Sequence, residues 1–497
     1  MSTNIFVLGL TDIQRKELET VRGADQLSFH GLLDYETLVE PDEYVFDDLL
    51  DACRRELDDF PGSVDGIIAH WDFPTSVLAP ILAAERNIPS PSLRSIVATE
   101  HKHWSRLAQK ESVPECVPQF NSFDPFDDNA LDSIELDFPF WVKPVKSHSS
   151  QLGFEIHNEQ EFADALVEIR EKIGLVGNAF DEVLRRVDLP DEIGKSSGTT
   201  CLAEQVVTGT QAAPEGTMFQ GQFNVHGVFD MRKDTAGHSF ERLDYPASTV
   251  PEEVQARMID ITERYLRHVG FDNGCFNSEF MWDEENDKLW LIEVNTRISQ
   301  SHSELFAKVD GSSNHEVAID IALGRQPRMP HRQGEYAVAA KCIIPHYEDG
   351  IVTSVPSEAD IARLRERIPG ALVCIDVAPG DRLADLPTRT PTATNWARCT
   401  SAPTVSNSSS SAITRDSRHF RSPSIRRTRT RRSTTCARPQ TSPTRSVSSR
   451  TSSSRCATVY GSRRGSGCPS TPKRIRYPLC WNTFRTASGI PRAGGTR

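Results

Sequence analysis

Two apolar stretches joined by six polar residues constrain this chain more than any other feature. Asn277-Ser278-Glu279-Phe280-Met281-Trp282 and Leu289-Trp290-Leu291-Ile292-Glu293-Val294-Asn295 both read as strands, and the acidic run 283–287 between them reads as a turn. A hairpin of this kind lets Glu279 and Glu293 face each other across the pair. Asn295 lies two residues past Glu293 and projects from the same face, and Arg297 follows two residues later. Two carboxylates and an amide oxygen, with no thiolate or imidazole, make a hard-oxygen donor set suited to Mg²⁺ (or Mn²⁺) held together with phosphate oxygens. The competing reading is a solvated hairpin face, because 68 of the first 387 residues are acidic. For Glu279 alone that reading is the better one. It does not account for the ordered run Glu-x-Asn-x-Arg at the end of an apolar strand.

Upstream, strand and helix alternate. Residues 3–10 read as a buried strand and 12–22 as a helix; 64–70 reads as a second strand, followed by a helix over 76–86. That order predicts a doubly wound α/β unit. No Gly-x-Gly-x-x-Gly follows the first strand, so no dinucleotide site is assigned there. Further along, 140–144 is a short apolar strand presenting Lys143, a charge that is costly to bury without an anionic partner. A Ser/His loop over 146–153 precedes another strand at 154–157, and 202–207 reads as a third. Residues 218–230 alternate loosely, 251–269 reads as an amphipathic helix and 315–323 as a closing helix. Lys146 and His148 in the loop, and His302 after the hairpin, are read as solvated or structural groups.

In this order the motifs resemble the ATP-grasp superfamily, in particular its biotin-carboxylase and carbamoyl-phosphate-synthase large-chain branch. Leu291–Arg297 resembles the second metal-binding strand and Ser278-Glu279-Phe280 the first. Glu100-His101-Lys102 with Ser112-Val113-Pro114 resembles the Asp-Lys, helix and Gly-Val-Pro run. Lys143-Pro144 with Ser150-x-x-Gly153 resembles the lysine strand and phosphate loop, and Leu202-Ala203-Glu204-Gln205-Val206 the hinge strand. The resemblance implies an α/β (α+β) fold: a doubly wound, Rossmann-like domain over 1–110, then a two-lobed ATP-grasp domain over 111–326 with its lid at about 140–205. A closing subdomain over 327–387 is then incomplete. It also implies ATP and Mg²⁺ as cofactors. Lys102, Lys143, Ser149, Ser150 and Gly153 would hold phosphate. Glu204, Gln205 and Val206 would read adenine and ribose, and Glu279, Glu293 and Asn295 would hold metal. Arg297 would be the catalytic guanidinium. The implied activity is a cytoplasmic ligase that activates a small-molecule carboxylate as an acyl phosphate and couples it to an amine; a homodimer is compatible with it. The alternative within the family is biotin-dependent carboxylation. Against it, Ser301 stands where biotin carboxylases carry the glutamate that handles bicarbonate.

Charge divides the chain at Pro387. Before it stand 34 bases against 68 acids; the last 110 residues carry 21 Arg, one Lys and one acid, Asp416. An acidic body repels nucleic acid and anionic membranes at long range, and no stretch approaches the length of a membrane span. The tail admits a second function class, nucleic-acid binding through Arg426, Arg427, Arg429, Arg431 and Arg432, but no aromatic is interleaved among those arginines for base stacking. Arg, Ser and Thr make up 61 of its 110 residues with no helix or strand period, a composition expected of GC-rich coding DNA translated out of frame. Written as codons with one base restored, 388–397 can be read Asn-Gln-Asp-Ser-Tyr-Ser-Tyr-Glu-Leu-Gly, acidic like the body. The expectation is therefore a one-base deletion near Pro387 and a disordered, non-native segment over 388–497. The coding DNA tests this directly. Eleven scattered cysteines without a Cys-x-x-Cys pair fit a reducing compartment and give no support to a zinc ribbon.

Overall fold

The computed structural model describes residues 2–39, 41, 43–147, 152–233, 240–386, 394–401 and 424–427. Among the described residues no helix is long and apolar enough to cross a membrane.

The first sheet is built on β1 (Thr3–Leu8), fully buried from Ile5 onward, which pairs in parallel with β2 (Leu27–Leu32) and β3 (Gly66–Ala69) in the order β2-β1-β3. Thr11 starts the first connecting helix, Asp12–Leu18, through a capping box with Gln14. Helix Phe46–Asp58 buries Phe46, Leu50, Cys53 and Leu57, one face at helical spacing. Sequence periodicity missed β2. It lies at the sheet edge, and His30 and Gly31 break its apolar alternation. Parallel strands align their carboxyl ends, so the segment after β3 meets the segment after β1: Trp71 Nε1 donates to Gly9 O at 3.0 Å.

A second, antiparallel sheet joins β4 (Phe120–Phe123), β5 (Phe140–Pro144), β6 (Phe154–Ile156) and β7 (Cys201–Gln205) in the order β4-β7-β5-β6. Helix Glu159–Lys172, capped by Asn158, covers it by packing Phe162 and Ile169 on Phe140 and Val142. These are the lysine strand, the strand after the loop and the hinge strand expected from sequence.

The large sheet contains β8 (Thr210–Phe219), β9 (Gln222–Lys233), β10 (Phe240–Tyr245), β11 (Gly274–Asp283), β12 (Lys288–Asn295) and β13 (Ala339–His346). Later in the chain come β14 (Gly350–Ser354), β15 (Leu372–Ile375), β16 (Thr394–Ser401) and β17 (Ser424–Arg427). The sheet order is β12-β11-β8-β9-β10-β13-β16-β15, with β14 and β17 paired separately. The 218–230 segment is not one strand. Gln220 and Gly221 both take positive φ and turn the chain tightly between β8 and β9. Helix Glu252–His268 packs Val254, Met258, Ile261 and Tyr265 against the sheet. A single apolar cluster runs from Phe6 and Leu8 through Trp104 and Phe180 to Phe276 and Leu291, tying the first sheet to the large one.

The tail boundary needs correction. Residues 394–401, expected to be disordered, form β16 and pair antiparallel with both β13 and β15. β16 therefore joins β13 to β15. Ala397 and Cys399 are buried, and Arg398 Nη2 reaches Asp376 Oδ1 at 2.8 Å. Small inward side chains at Ala397 and Cys399 on either side of Arg398 suit a half-buried strand, whatever frame produced them. Residues 424–427 likewise form β17, and the remaining tail residues lie outside those described. A chain ending at Pro387 exposes two strand edges that a chain ending at Ser401 covers. It should melt several degrees lower. Equal melting temperatures would show that β16 contributes nothing.

Candidate functional site

The hairpin has the geometry its spacing implied. β11 and β12 set Glu279 directly opposite Glu293 and Asn277 opposite Asn295, with a register shift immediately after Glu279. Gln211 on β8 donates Nε2 to Glu279 Oε2 at 2.8 Å. Asn295 Nδ2 lies 3.3 Å from Asn277 Oδ1 and 3.5 Å from Glu293 Oε1. Burial, and then the facing Glu293 charge, push the Glu279 carboxyl well above the usual carboxylate range. Two half-buried carboxylates held in register repel each other, and a cation between them relieves that repulsion. The oxygen donors of Glu279, Glu293 and Asn295 therefore fit Mg²⁺. Among the described residues no group of three or more His, Cys, Asp or Glu side chains is placed to hold a metal ion.

Lys102 lies within electrostatic reach of Glu293, and Lys143 and Lys146 lie within reach of Lys102. His101 caps helix Lys102–Ser112, accepting the Trp104 N–H on its ring nitrogen, and so sets the Lys102 side chain at the helix start. Lys102 Nζ donates to the backbone and side-chain oxygens of Ser147, both at 3.2 Å. Burial brings the Lys102 ammonium down to about 8; Glu293 acts to raise it, and Lys143 and Lys146 act to lower it. Lys102 thus lies within electrostatic reach of both the carboxylate pair and the lysine strand. Lys146, read from sequence as a solvated loop lysine, is instead buried against Glu100 at 2.5 Å and lies over the rings of Phe73 and Phe180. Ser149, Ser150 and His148 lie outside the described residues; Gly153 enters β6.

Glu204 departs from expectation. The carboxylate expected to reach a ribose is held between two cations, Arg106 Nε at 2.6 Å and Lys143 Nζ at 2.6 Å. Burial opposes its charge, but Arg106 and Lys143 outweigh burial and bring the carboxyl down to about 2. Arg106 also donates to Gln109 Oε1 and to the backbone oxygens of Leu291 and Ile292 at 2.9 and 2.8 Å. One guanidinium therefore ties β7 to β12. Sequence reasoning missed it; the available signal was an arginine on the buried side of a helix, next to Trp104 and Ala108. Gln205 closes β7 at its exposed end, where its N–H donates to Gln119 O at 2.9 Å, and Val206 follows the strand.

Arg297 does not pair with Glu293. Its guanidinium grips Asp72, from the segment after β3, through Nε at 2.7 Å and Nη2 at 3.0 Å. His302 is structural, as expected. It stacks on Phe229 with ring centroids 3.6 Å apart, and its ring nitrogen is 2.5 Å from Glu215 Oε2, a carboxylate also bound by Asn314.

Residues 136–304 match the model of the ATP-grasp domain family. Over 133 residues the chain is 32% identical to the uncharacterized protein y4rH of Sinorhizobium fredii, covering 24% of this chain and 27% of that protein. Over 152 residues it is 35% identical to the carbamoyl phosphate synthase large chain of Kineococcus radiotolerans, covering 30% of this chain and 14% of that one. The chain thus spans well under a third of the length of either relative. The fold superposes on L-amino acid ligase from Bacillus licheniformis with a TM-score of 0.63 at 15% identity, over 86% of this chain and 99% of that one.

Proposed function

Taking as premise that residues 136–304 form an ATP-grasp domain, we propose that this protein is an ATP- and Mg²⁺-dependent ligase that activates a small-molecule carboxylate and couples it to an amine. The observation that carries the reading is the registered pair Glu279–Glu293, with Lys102 in electrostatic reach of Glu293 and of Lys143. Glu279, Glu293 and Asn295 would hold Mg²⁺, which supplies charge neutralisation on phosphate oxygens. Lys102 and Lys143 offset further negative charge on the nucleotide. Glu204, through its two ion pairs, holds Lys143 toward the site. A carboxylate oxygen attacks the γ-phosphorus in line, the bond to the ADP oxygen breaks, and ADP leaves. The amine nitrogen then attacks the acyl carbon, loses its proton, and expels inorganic phosphate. The residues contribute position and fixed charge, the main sources of rate in phosphoryl transfer. Arg297 places a guanidinium beside the metal pair, where charge develops on the transferring group.

Ser301, in place of a bicarbonate-handling glutamate, favours amine capture over carboxylation. The test is ADP release from MgATP. Release is expected to need both a carboxylate and an amine. Release driven by bicarbonate and biotin alone would replace this reading with the carboxylase one.

A further inference from the structure

Arg297 sits at the end of the metal strand, yet its partner, Asp72, comes from the N-terminal sheet, 225 residues away in sequence. The Asp72 carboxylate occupies the Nε and Nη2 edge of the guanidinium, and Nη1 donates to Ile298 O at 3.2 Å. Three of five N–H groups are thus used, and one remains on each terminal nitrogen. The pair borders solvent, with side chains 20% and 32% exposed, so those two donors are within reach of a ligand. The surrounding segment is stitched to the same N-terminal elements. Thr296 Oγ1 donates to Glu100 Oε1 at 3.2 Å, and Gln300 Nε2 to His70 O at 2.9 Å. Gln14 Nε2 in turn donates to Gln300 Oε1 at 2.8 Å. Ser299, two residues on, is held instead by Glu215 and Asn314, but the one side chain bound to the Arg297 guanidinium, Asp72, belongs to the N-terminal region.

We propose that Asp72 is a positioning residue: it fixes the guanidinium of Arg297 edge-on, so that its two remaining N–H groups face the oxygens of the transferring phosphoryl group. This makes the first domain part of the reacting site. The proposal rests on the ligase reading for what Arg297 contacts, but not for how Arg297 is held. An arginine on a flexible four-bond stem samples many orientations; a bidentate carboxylate selects one before substrate arrives.

Two measurements on the full chain separate the possibilities. The first is the rate of phenylglyoxal modification of Arg297, followed by peptide mass spectrometry. It should rise severalfold in Asp72→Asn and stay near wild type in Asp72→Glu, which keeps the carboxylate. An unchanged rate in Asp72→Asn overturns the proposal. The second is ADP release from MgATP with a mixture of the standard amino acids. Asp72→Asn should lose about tenfold to a hundredfold in kcat with KM for ATP within twofold of wild type, and Asp72→Glu should recover part of the loss. A lowered melting temperature with unchanged kcat would make the pair a mere domain tie and overturn the proposal. If wild type releases no ADP with any carboxylate and amine, the ligase reading fails, and the labelling result still decides whether Asp72 holds Arg297.

Discussion

Glu293→Gln should abolish ADP release while leaving the protein folded, and its melting temperature should stay level or rise. In the proposed role the carboxylate would hold metal mainly through its charge, and glutamine keeps its shape and one oxygen. Loss of a group that merely orients a ligand commonly costs 10- to 100-fold in metal affinity or activity, so loss of a direct charged ligand should exceed about a hundredfold. The stability sign follows from the pair itself. Glu279 is held above the usual carboxylate range first by burial and then by Glu293. Removing the Glu293 charge relieves that repulsion, so the metal-free variant has one fewer buried like-charge contact. Turnover assays with circular dichroism and thermal melts check both halves. Retained turnover would remove Glu293 from the metal site. Lost turnover with a collapsed melting temperature would show that the residue works through the fold.

The Glu279–Glu293 register could be read from sequence because it depends on local rules. A five-residue acidic turn between two apolar strands fixes the pairing, and a period of two fixes the face. Lys143 was legible for a similar reason, as a charge on a buried strand. The links that organise the site follow no local rule. Arg106 meets Glu204 across 98 residues and the oxygens of Leu291 and Ile292 across more than 180. Asp72 meets Arg297 across 225. No periodicity encodes such contacts, and the only trace in sequence is a charge at a position that patterning assigns to the interior. β2 escaped because an edge strand tolerates His30 and Gly31. The β8–β9 turn escaped because Gln220-Gly221 is a weaker signal than Asn-Gly, although both residues take the left-handed conformation. β16 shows the converse. Composition marked 388–401 as foreign to the body, yet pairing with β13 and β15 needs only backbone groups and a few small inward side chains, which Ala397 and Cys399 supply.

Arg106→Met should cost the most stability of any single change near the site, about 3–5 kcal/mol, the range for breaking a buried ion pair from one side. The Arg106 and Glu204 side chains are 3% and 6% exposed, so solvent offers no replacement. Methionine fills the space of the aliphatic stem but leaves Glu204 with Lys143 alone and strips the donors from Leu291 O and Ile292 O. Arg106→Lys should rescue little, because one ammonium cannot span the Glu204 carboxylate, Gln109 and two backbone oxygens at once. Acid sensitivity gives an independent reading. Burial opposes the Glu204 charge, and the two cations overcome it to bring its carboxyl to about 2, below the ordinary value of 4.5. A group depressed in the folded state stabilises above its unfolded pKa, and that contribution is lost as pH falls from about 4.5 toward about 2. Without Arg106 the burial effect meets only Lys143, so the acid-unfolding midpoint should move up in pH. Urea melts at pH 7 and pH 4 measure both effects. A Glu204→Gln background should remove much of the cost of Arg106→Met, since Arg106 then has no carboxylate partner to lose. If the cost is the same in both backgrounds, the Arg106–Glu204 pair is not what joins the hinge strand to the metal strand, and the two backbone oxygens on β12 carry that role alone.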